Sequence, residues 1–227
     1  MATLAMQTDA VLPAEGTVRV GGGVHQSGES LVATKAGVVR RGPSGALWVS
    51  AAQHRYIPSV NDAVVGVITQ RHSENYTVDI FGPWPALLPS LAFEGVARRN
   101  RPNLKIGDVV YCRVEEAARD VDPMLTCVDA TGKAAGFGPL QGGTLFSVST
   151  QHARRLSAGP AFLGVLGRTL KFEMAVGANG RVWVNAAAEA VIALVQRLCR
   201  DTEGVPDAEA QAMAETAVGA KYLAAMR

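Results

Sequence analysis

The sequence predicts a multi-domain, mainly β protein with an α+β C-terminal part: a small N-terminal β domain, a closed five-stranded barrel and a mixed region with C-terminal helices. Three observations carry this. Short alternating apolar runs recur between Gly-rich turns over residues 1–57. Five strand-like segments then crowd into residues 58–130. Beyond Gly142-Gly143 the apolar period moves from two towards the ~3.6 of a helix. Composition agrees: of 227 residues 48% are hydrophobic, but 36 are Ala and 24 are Gly, which suits several modest cores better than one large one.

In residues 1–57 the runs Thr17-Val18-Arg19-Val20, Leu31-Val32-Ala33-Thr34, Gly37-Val38-Val39-Arg40 and Ala46-Leu47-Trp48-Val49 read as strands. Gly21-Gly22-Gly23 and Gly42-Pro43-Ser44-Gly45 read as the turns between them. Residues 58–130 carry strand patterns at 63–70, 76–81, 84–88, 109–114 and 124–129, the number a small closed barrel needs. The connection 89–108 is the longest, and it holds Arg98, Arg99, Arg101 and Lys105 with no acidic residue between Gly95 and Gly107. A long basic loop beside a compact barrel is a functional candidate.

Residues 131–227 begin with a strand at 144–148 and a short helix at 149–156, capped by Ser149 or Thr150 and bearing Arg154-Arg155. Two alternating runs, 170–176 and 181–185, flank Gly177-Ala178-Asn179-Gly180, and Asn-Gly between such runs signals a hairpin. Val191, Leu194, Val195 and Leu198 recur at helical spacing over 187–200, and an Ala-rich helix follows from Asp207, behind Gly204-Val205-Pro206.

The chemistry that would make an enzyme is missing from the pattern. There is no G-x-x-x-x-G-K-[ST] and no G-x-S-x-G. His25, His54, His72 and His152 are scattered singly, so no metal-ligating pair is expected. Asp120-Val121-Asp122 is the one D-x-D, and beside Pro123 it reads as a solvated turn. Cys112, Cys127 and Cys199 form neither a C-x-x-C nor an even set, which fits a reducing compartment, and no cofactor is expected. No run of 18 apolar residues and no signal peptide are evident, so a soluble chain is expected, with no membrane partner. Net charge is only +2, but residues 131–199 alone carry +5, from seven basic and two acidic residues. Such an excess suits an anionic chain or an acidic protein surface equally well.

Several of these segments resemble an S1-type RNA-binding domain, an OB-fold variant: Pro58-Ser59-Val60-Asn61-Asp62-Ala63-Val64-Val65-Gly66-Val67-Ile68, Tyr76-Thr77-Val78-Asp79-Ile80 and Ile106-Gly107-Asp108-Val109-Val110-Tyr111-Cys112-Arg113-Val114. The stretch from Leu125-Thr126-Cys127-Val128-Asp129 through Gly136-Phe137-Gly138, followed by Gly177-Ala178-Asn179-Gly180-Arg181-Val182-Trp183-Val184, is more specific. It resembles the ribosomal RNA-processing protein 40 family, cap subunits of the eukaryotic RNA exosome. Leu12-Pro13, Ala33-Thr34-Lys35-Ala36-Gly37-Val38-Val39 and Arg55-Tyr56-Ile57-Pro58 fit the same family.

The resemblance implies three domains: an N-terminal β domain (1–57), an S1-type OB-fold domain (58–130) and a KH-like domain with C-terminal helices (131–227). It implies a non-catalytic subunit that sits with two other S1-bearing cap proteins on a six-subunit ring, lines the pore through which RNA enters, and leaves 3′–5′ degradation to associated nucleases. The implied partners are single-stranded RNA, ring subunits and the other cap proteins rather than a second copy of the chain. The implied setting is nucleus and nucleolus, also cytoplasm. The sister S1/KH cap subunit, a free-standing RNA-binding module and a purely structural clamp stay open as alternatives. Polynucleotide phosphorylase fits less well, because it places KH before S1.

For RNA the candidates are Arg98, Arg99, Arg101 and Lys105 as phosphate contacts, with Arg71, His72 and Tyr76 beside the first barrel hairpin. Tyr76 is either a stacking ring or a core side chain. Arg154 and Arg155 face RNA or an acidic partner surface. A standard KH domain grips phosphates with a GXXG loop between helices. Here Gly177, Asn179 and Gly180 lie between strands, and Pro160, in the loop where a clamp is usual, has no N–H to give, so this motif is read as a structural turn.

Overall fold

The computed structural model describes residues 3–5, 10–13, 19–28, 30–42, 45–51, 55–96, 100, 102–118 and 121–225. The chain forms two compact units, Met1–Gln53 and His54–Arg227.

The first unit is all β: β1 (Thr3–Ala5), β2 (Ala10–Pro13), β3 (Val24–Ser27), β4 (Ser30–Ala33), β5 (Gly37–Arg41) and β6 (Leu47–Ser50). They make two antiparallel three-stranded sheets, ordered β1-β5-β6 and β2-β4-β3. Its small core is Val24, Leu31, Ala33, Leu47 and Val49, and the alternation along β4 buries Leu31 and Ala33 together. Of the strand expected at 17–20, Val20 makes an isolated bridge to Leu47, while Thr17 and Val18 lie outside the described residues.

The second unit opens with β7 (Ala63–Arg71), β8 (Asn75–Asp79), β9 (Ala86–Pro89), β10 (Val109–Ala118), β11 (Val121–Thr126) and β12 (Gly138–Leu140). The sheet order is β11-β9-β8-β7-β10-β12, and β10 also pairs with β11, which closes the first five strands into the expected barrel. Its core includes Val64, Ile68, Tyr76, Val78, Leu88, Val110, Cys112 and Leu125, the inward set of each alternating strand. β9 starts at Ala86, later than the 84–88 pattern suggests, because Pro83 and Pro85 have no N–H for a ladder. β11 starts earlier than expected and takes in Pro123, where the pairing with β10 is irregular. Asp122 therefore sits in a strand rather than the expected turn; Asp120 lies outside the described residues. Cys112 of β10 and Cys127, just beyond the end of β11, have Sγ atoms 3.4 Å apart. Burial and the neighbouring Cys127 thiol push the Cys112 pKa up, which keeps it a protonated core group.

The chain continues through β13 (Thr144–Ser147), α1 (Thr150–Ser157), α2 (Ala161–Thr169), β14 (Glu173–Val176), β15 (Arg181–Asn185), α3 (Glu189–Asp201) and α4 (Asp207–Ala225). The sheet is β13-β15-β14, and the helices enclose a core that includes Phe146, Leu156, Phe162, Leu166, Val182, Val195 and Leu198. Of the two expected caps for α1, Ser149 serves, its Oγ accepting from the His152 amide at 3.1 Å. α2 had no counterpart in the sequence reading. Gly164 and Gly167 depress its helix propensity, and the burial of Phe162 and Leu166 supplies what propensity does not. Among the described residues, no helix is long and apolar enough to cross a membrane.

Candidate nucleic-acid interface

β7 reads Ala-Val-Val-Gly-Val-Ile, and Val64, Val65 and Gly66 are all buried. A strand apolar on both faces needs cover on both. Val64 points into the barrel, whereas Val65 packs with Ala175 and Trp183 of the β14–β15 sheet, flanked by Tyr111, Leu140 and Leu145. The Gly177-Ala178-Asn179-Gly180 turn locks this contact. Asn179, 0% exposed, donates through Nδ2 to the carbonyls of Val65 and Ile80, both at 2.8 Å, and its Oδ1 accepts from the Val65 amide at 3.4 Å. The Ala178 amide donates to the Ala63 carbonyl at 2.7 Å. Every polar atom of the Asn179 side chain is thus spent on the barrel, and the turn presents no phosphate clamp.

Next to it, Arg181 is 9% exposed. Its Nη1 donates to the Asp79 carbonyl and its Nη2 to Asp79 Oδ2, each at 2.5 Å. Asp79 Oδ1 in turn accepts from the Phe81 amide at 2.9 Å, and the Arg181 guanidinium lies 5.5 Å from the centre of the Phe81 ring. Phe81 has φ +60° and is 48% exposed; Trp84, three residues on, is 62% exposed. Arg55, Asp79, Phe81, Gly82 and Pro83 line a shallow pocket here. The half-exposed Phe81 ring, backed by the Arg181 guanidinium and beside Arg55, offers a stacking face with nearby positive charge, suited to single-stranded nucleic acid, while the exposed Trp84 ring lines a neighbouring apolar pocket with Ile57, Pro58 and Pro83. Sequence reasoning passed over Phe81 and Trp84. The signal was their place in Phe81-Gly82-Pro83-Trp84, a turn where strand alternation does not bury a side chain.

The residues singled out from the sequence fall into separate groups. Arg98, Arg99 and Arg101 lie outside the described residues. Lys105 is exposed at the end of the same connection. Arg71 Nη1 donates to Asn103 Oδ1 at 2.7 Å, so the last turn of that connection meets the β7–β8 hairpin. His72 is exposed, with Nε2 3.1 Å from Thr77 Oγ1. Tyr76 is 3% exposed, and its hydroxyl donates to the Pro102 carbonyl at 2.5 Å, so its ring fills the barrel core and offers no face to a base. Arg155 is also committed internally. It donates to Asp207 Oδ1 at 2.6 Å through Nη2 and to the Thr202 and Val205 carbonyls through Nη1, tying α1 to the α3–α4 connection. Arg154 is exposed and joins none of the ion pairs among the described residues.

Two groups make this unit acid-sensitive. His152 Nε2 lies 2.7 Å from the Cys199 carbonyl, which only accepts, so Nε2 carries a proton. Burial pulls its pKa below the ordinary 6.5, against the opposing pull of that hydrogen bond. Burial pushes Asp79 up, but the bonds from Arg181 and the Phe81 amide outweigh it and hold the carboxyl below 3.8. Both folded values are depressed, so the stability they contribute is present above the unfolded values and lost as pH falls through the folded ones. The thermal midpoint is expected to fall first below about pH 6.5, as His152 charges, and again in the carboxylate range. Thermal scans across this range check it, and His152→Gln, which keeps a donor for Cys199, flattens the first step.

A family model for the S1 domain of exosome complex component RRP40 matches residues 56–138, and a KH domain model matches residues 143–190. The exosome complex component rrp40 of Schizosaccharomyces pombe is 40% identical over 208 residues, covering 88% of this chain and 87% of its own length. The Drosophila melanogaster protein of that name is 36% identical over 197 residues, covering 83% and 85%. A crystal structure assigned as an exosome complex RNA-binding protein superposes with a TM-score of 0.57 at 22% identity, over 74% of this chain and 99% of that one, a likeness of fold. The barrel, the KH-like sheet joined to it, and relatives 36–40% identical over most of the chain agree: the chain belongs to the RRP40 family of exosome complex components.

Proposed function

We propose that the chain is a non-catalytic, RNA-binding cap subunit of an RNA exosome, stabilising the ring and guiding single-stranded RNA to the 3′–5′ exoribonuclease in ribosomal RNA processing and RNA decay. Its place in the complex, in nucleus and nucleolus and also in cytoplasm, follows from the same reading. The observation that carries it is the fusion of the barrel to the KH-like sheet through Asn179. This commits the Gly177-Gly180 turn to the domain contact, and with Pro160 in the interhelical loop where a clamp is usual, it leaves the barrel rim to meet RNA. Phe81 and Trp84 supply stacking without sequence preference, and Arg71, Lys105 and Arg154 supply exposed positive charge. With 13 aromatic residues in the whole chain, intrinsic affinity is modest and the assembly does much of the binding.

Two experiments test this. The tagged chain, purified from its native cell at moderate salt, is expected to bring ring subunits and two other S1-bearing proteins in near-equal amounts; recovery alone or with ribosomal proteins overturns cap membership. Stacking contributes about 1–3 kcal/mol per base, so Phe81→Ala with Trp84→Ala is expected to weaken binding of an oligouridine RNA by roughly tenfold or more at low salt. Unchanged affinity, read by fluorescence anisotropy, removes the barrel platform from the proposal.

A further inference from the structure

The turn that carries Phe81 is not self-sufficient. A bulky residue at φ +60° is an outlier, and such a conformation persists where the surroundings over-determine it. The surroundings that do so come from the other domain. Asn179 holds the Ile80 carbonyl, and Arg181 holds both the Asp79 carbonyl and its Oδ2. The remaining oxygen, Oδ1, is thereby oriented onto the Phe81 amide, closing an Asx-type turn. The same guanidinium then underlies one face of the Phe81 ring at 5.5 Å and leaves the ring about half exposed. Three consecutive residues of the barrel rim are set by two residues of the β14–β15 hairpin.

From this we infer that Arg181 is a positioning residue for RNA binding: the KH-like hairpin sets the barrel's stacking platform by fixing the Asp79-Ile80-Phe81 turn and backing the Phe81 ring. The inference rests on the reading of Phe81 as a base contact. Arg181 is nearly buried and spends both terminal nitrogens on Asp79, so it acts through Phe81 rather than on a phosphate. The barrel's RNA face is consequently incomplete without the hairpin, although no residue of the hairpin's Gly-x-Asn-Gly turn reaches RNA.

The test is a double-mutant cycle on the full chain, with a fluorescein-labelled oligouridine at low salt and anisotropy as the readout. Phe81→Ala is expected to weaken binding about tenfold. Arg181→Gln is expected to weaken it roughly fivefold in the parent, but by less than about twofold in the Phe81→Ala background, since no ring is left to position. Arg181→Lys keeps the cation at Asp79 and loses the planar support, so it recovers part of the loss; it is also the variant for the cycle if Arg181→Gln does not fold. Equal losses from Arg181 substitution in both backgrounds overturn the inference and make Arg181 an independent contact or a stability residue. If Phe81→Ala alone binds as the parent does, the reading of Phe81 fails and the inference falls with it, a result distinct from equal losses.

Discussion

Asn179→Leu is expected to lower the thermal midpoint of the chain by roughly 10 °C. The substitution strips partners from the Val65 and Ile80 carbonyls and the Val65 amide, all in a region sealed by Val65, Ala175 and Trp183. A buried polar group left without a partner costs about 1–3 kcal/mol, and three together come to about 3–5 kcal/mol after partial relaxation. For a unit of this size each kcal/mol moves the midpoint by about 2–4 °C. Asn179→Asp sharpens the test. It keeps the shape and the acceptor but cannot donate to two carbonyls, and it sets a carboxylate against their negative ends, so it is expected to be at least as harmful. A midpoint within about 2 °C of the parent for either variant would show that apolar packing, not the amide, holds the two domains together.

Gly177→Ala is the second large effect, and its cause is steric. A Cβ at position 177 would lie 2.6 Å from the Val65 nitrogen and 3.2 Å from the Val64 carbonyl carbon. Both neighbours are backbone atoms of a central barrel strand, so no rotamer change relieves the clash. The hairpin has to lift, which breaks the Ala178 to Ala63 bond at 2.7 Å and pulls Asn179 from its carbonyls. Overpacking costs about 1–3 kcal/mol, and the fixed backbone neighbours put this case at the upper end. Limited proteolysis is expected to cut the variant rapidly between the barrel and the β13–β15 sheet, where the parent resists. At Gly180, φ is +83° and a Cβ would meet the Val148 carbonyl oxygen at 2.5 Å, so Gly177 is required by close approach alone and Gly180 by both approach and backbone region.

Much of the fold is legible in the residues, because it follows from local rules. Alternation places Val64, Ile68, Tyr76, Val78, Val110, Cys112 and Val114 on the inner face of the barrel. Ser149 caps α1, Asn179-Gly180 turns the hairpin, and the 191–198 spacing buries Val195 and Leu198. The exceptions have physical causes. α2 was missed because two glycines hide a helix that tertiary burial stabilises. Tyr76 and Arg155, both plausible RNA contacts by type, were claimed by the fold: a ring at an inward strand position packs inward, and an arginine facing the carbonyls of Thr202, the C-cap of α3, and of Val205, in the connection that follows, binds both. The doubly apolar β7 carried a sequence signal of the domain contact, beside the Gly177-Ala178-Asn179-Gly180 turn.

The fold class is readable along the chain, since it rests on local periodicity and turn chemistry, and the family resemblance is readable in the Leu125–Gly138 and Gly177–Val184 motifs. What Asn179, Arg181 and Phe81 do comes from contacts far apart in the chain. Asn179 bonds to Val65 over 114 positions and Arg181 to Asp79 over 102, and no local pattern records a contact at that separation. The fold also decided which polar groups remain open to a ligand, because a side chain's availability depends on what packs against it once the chain has closed.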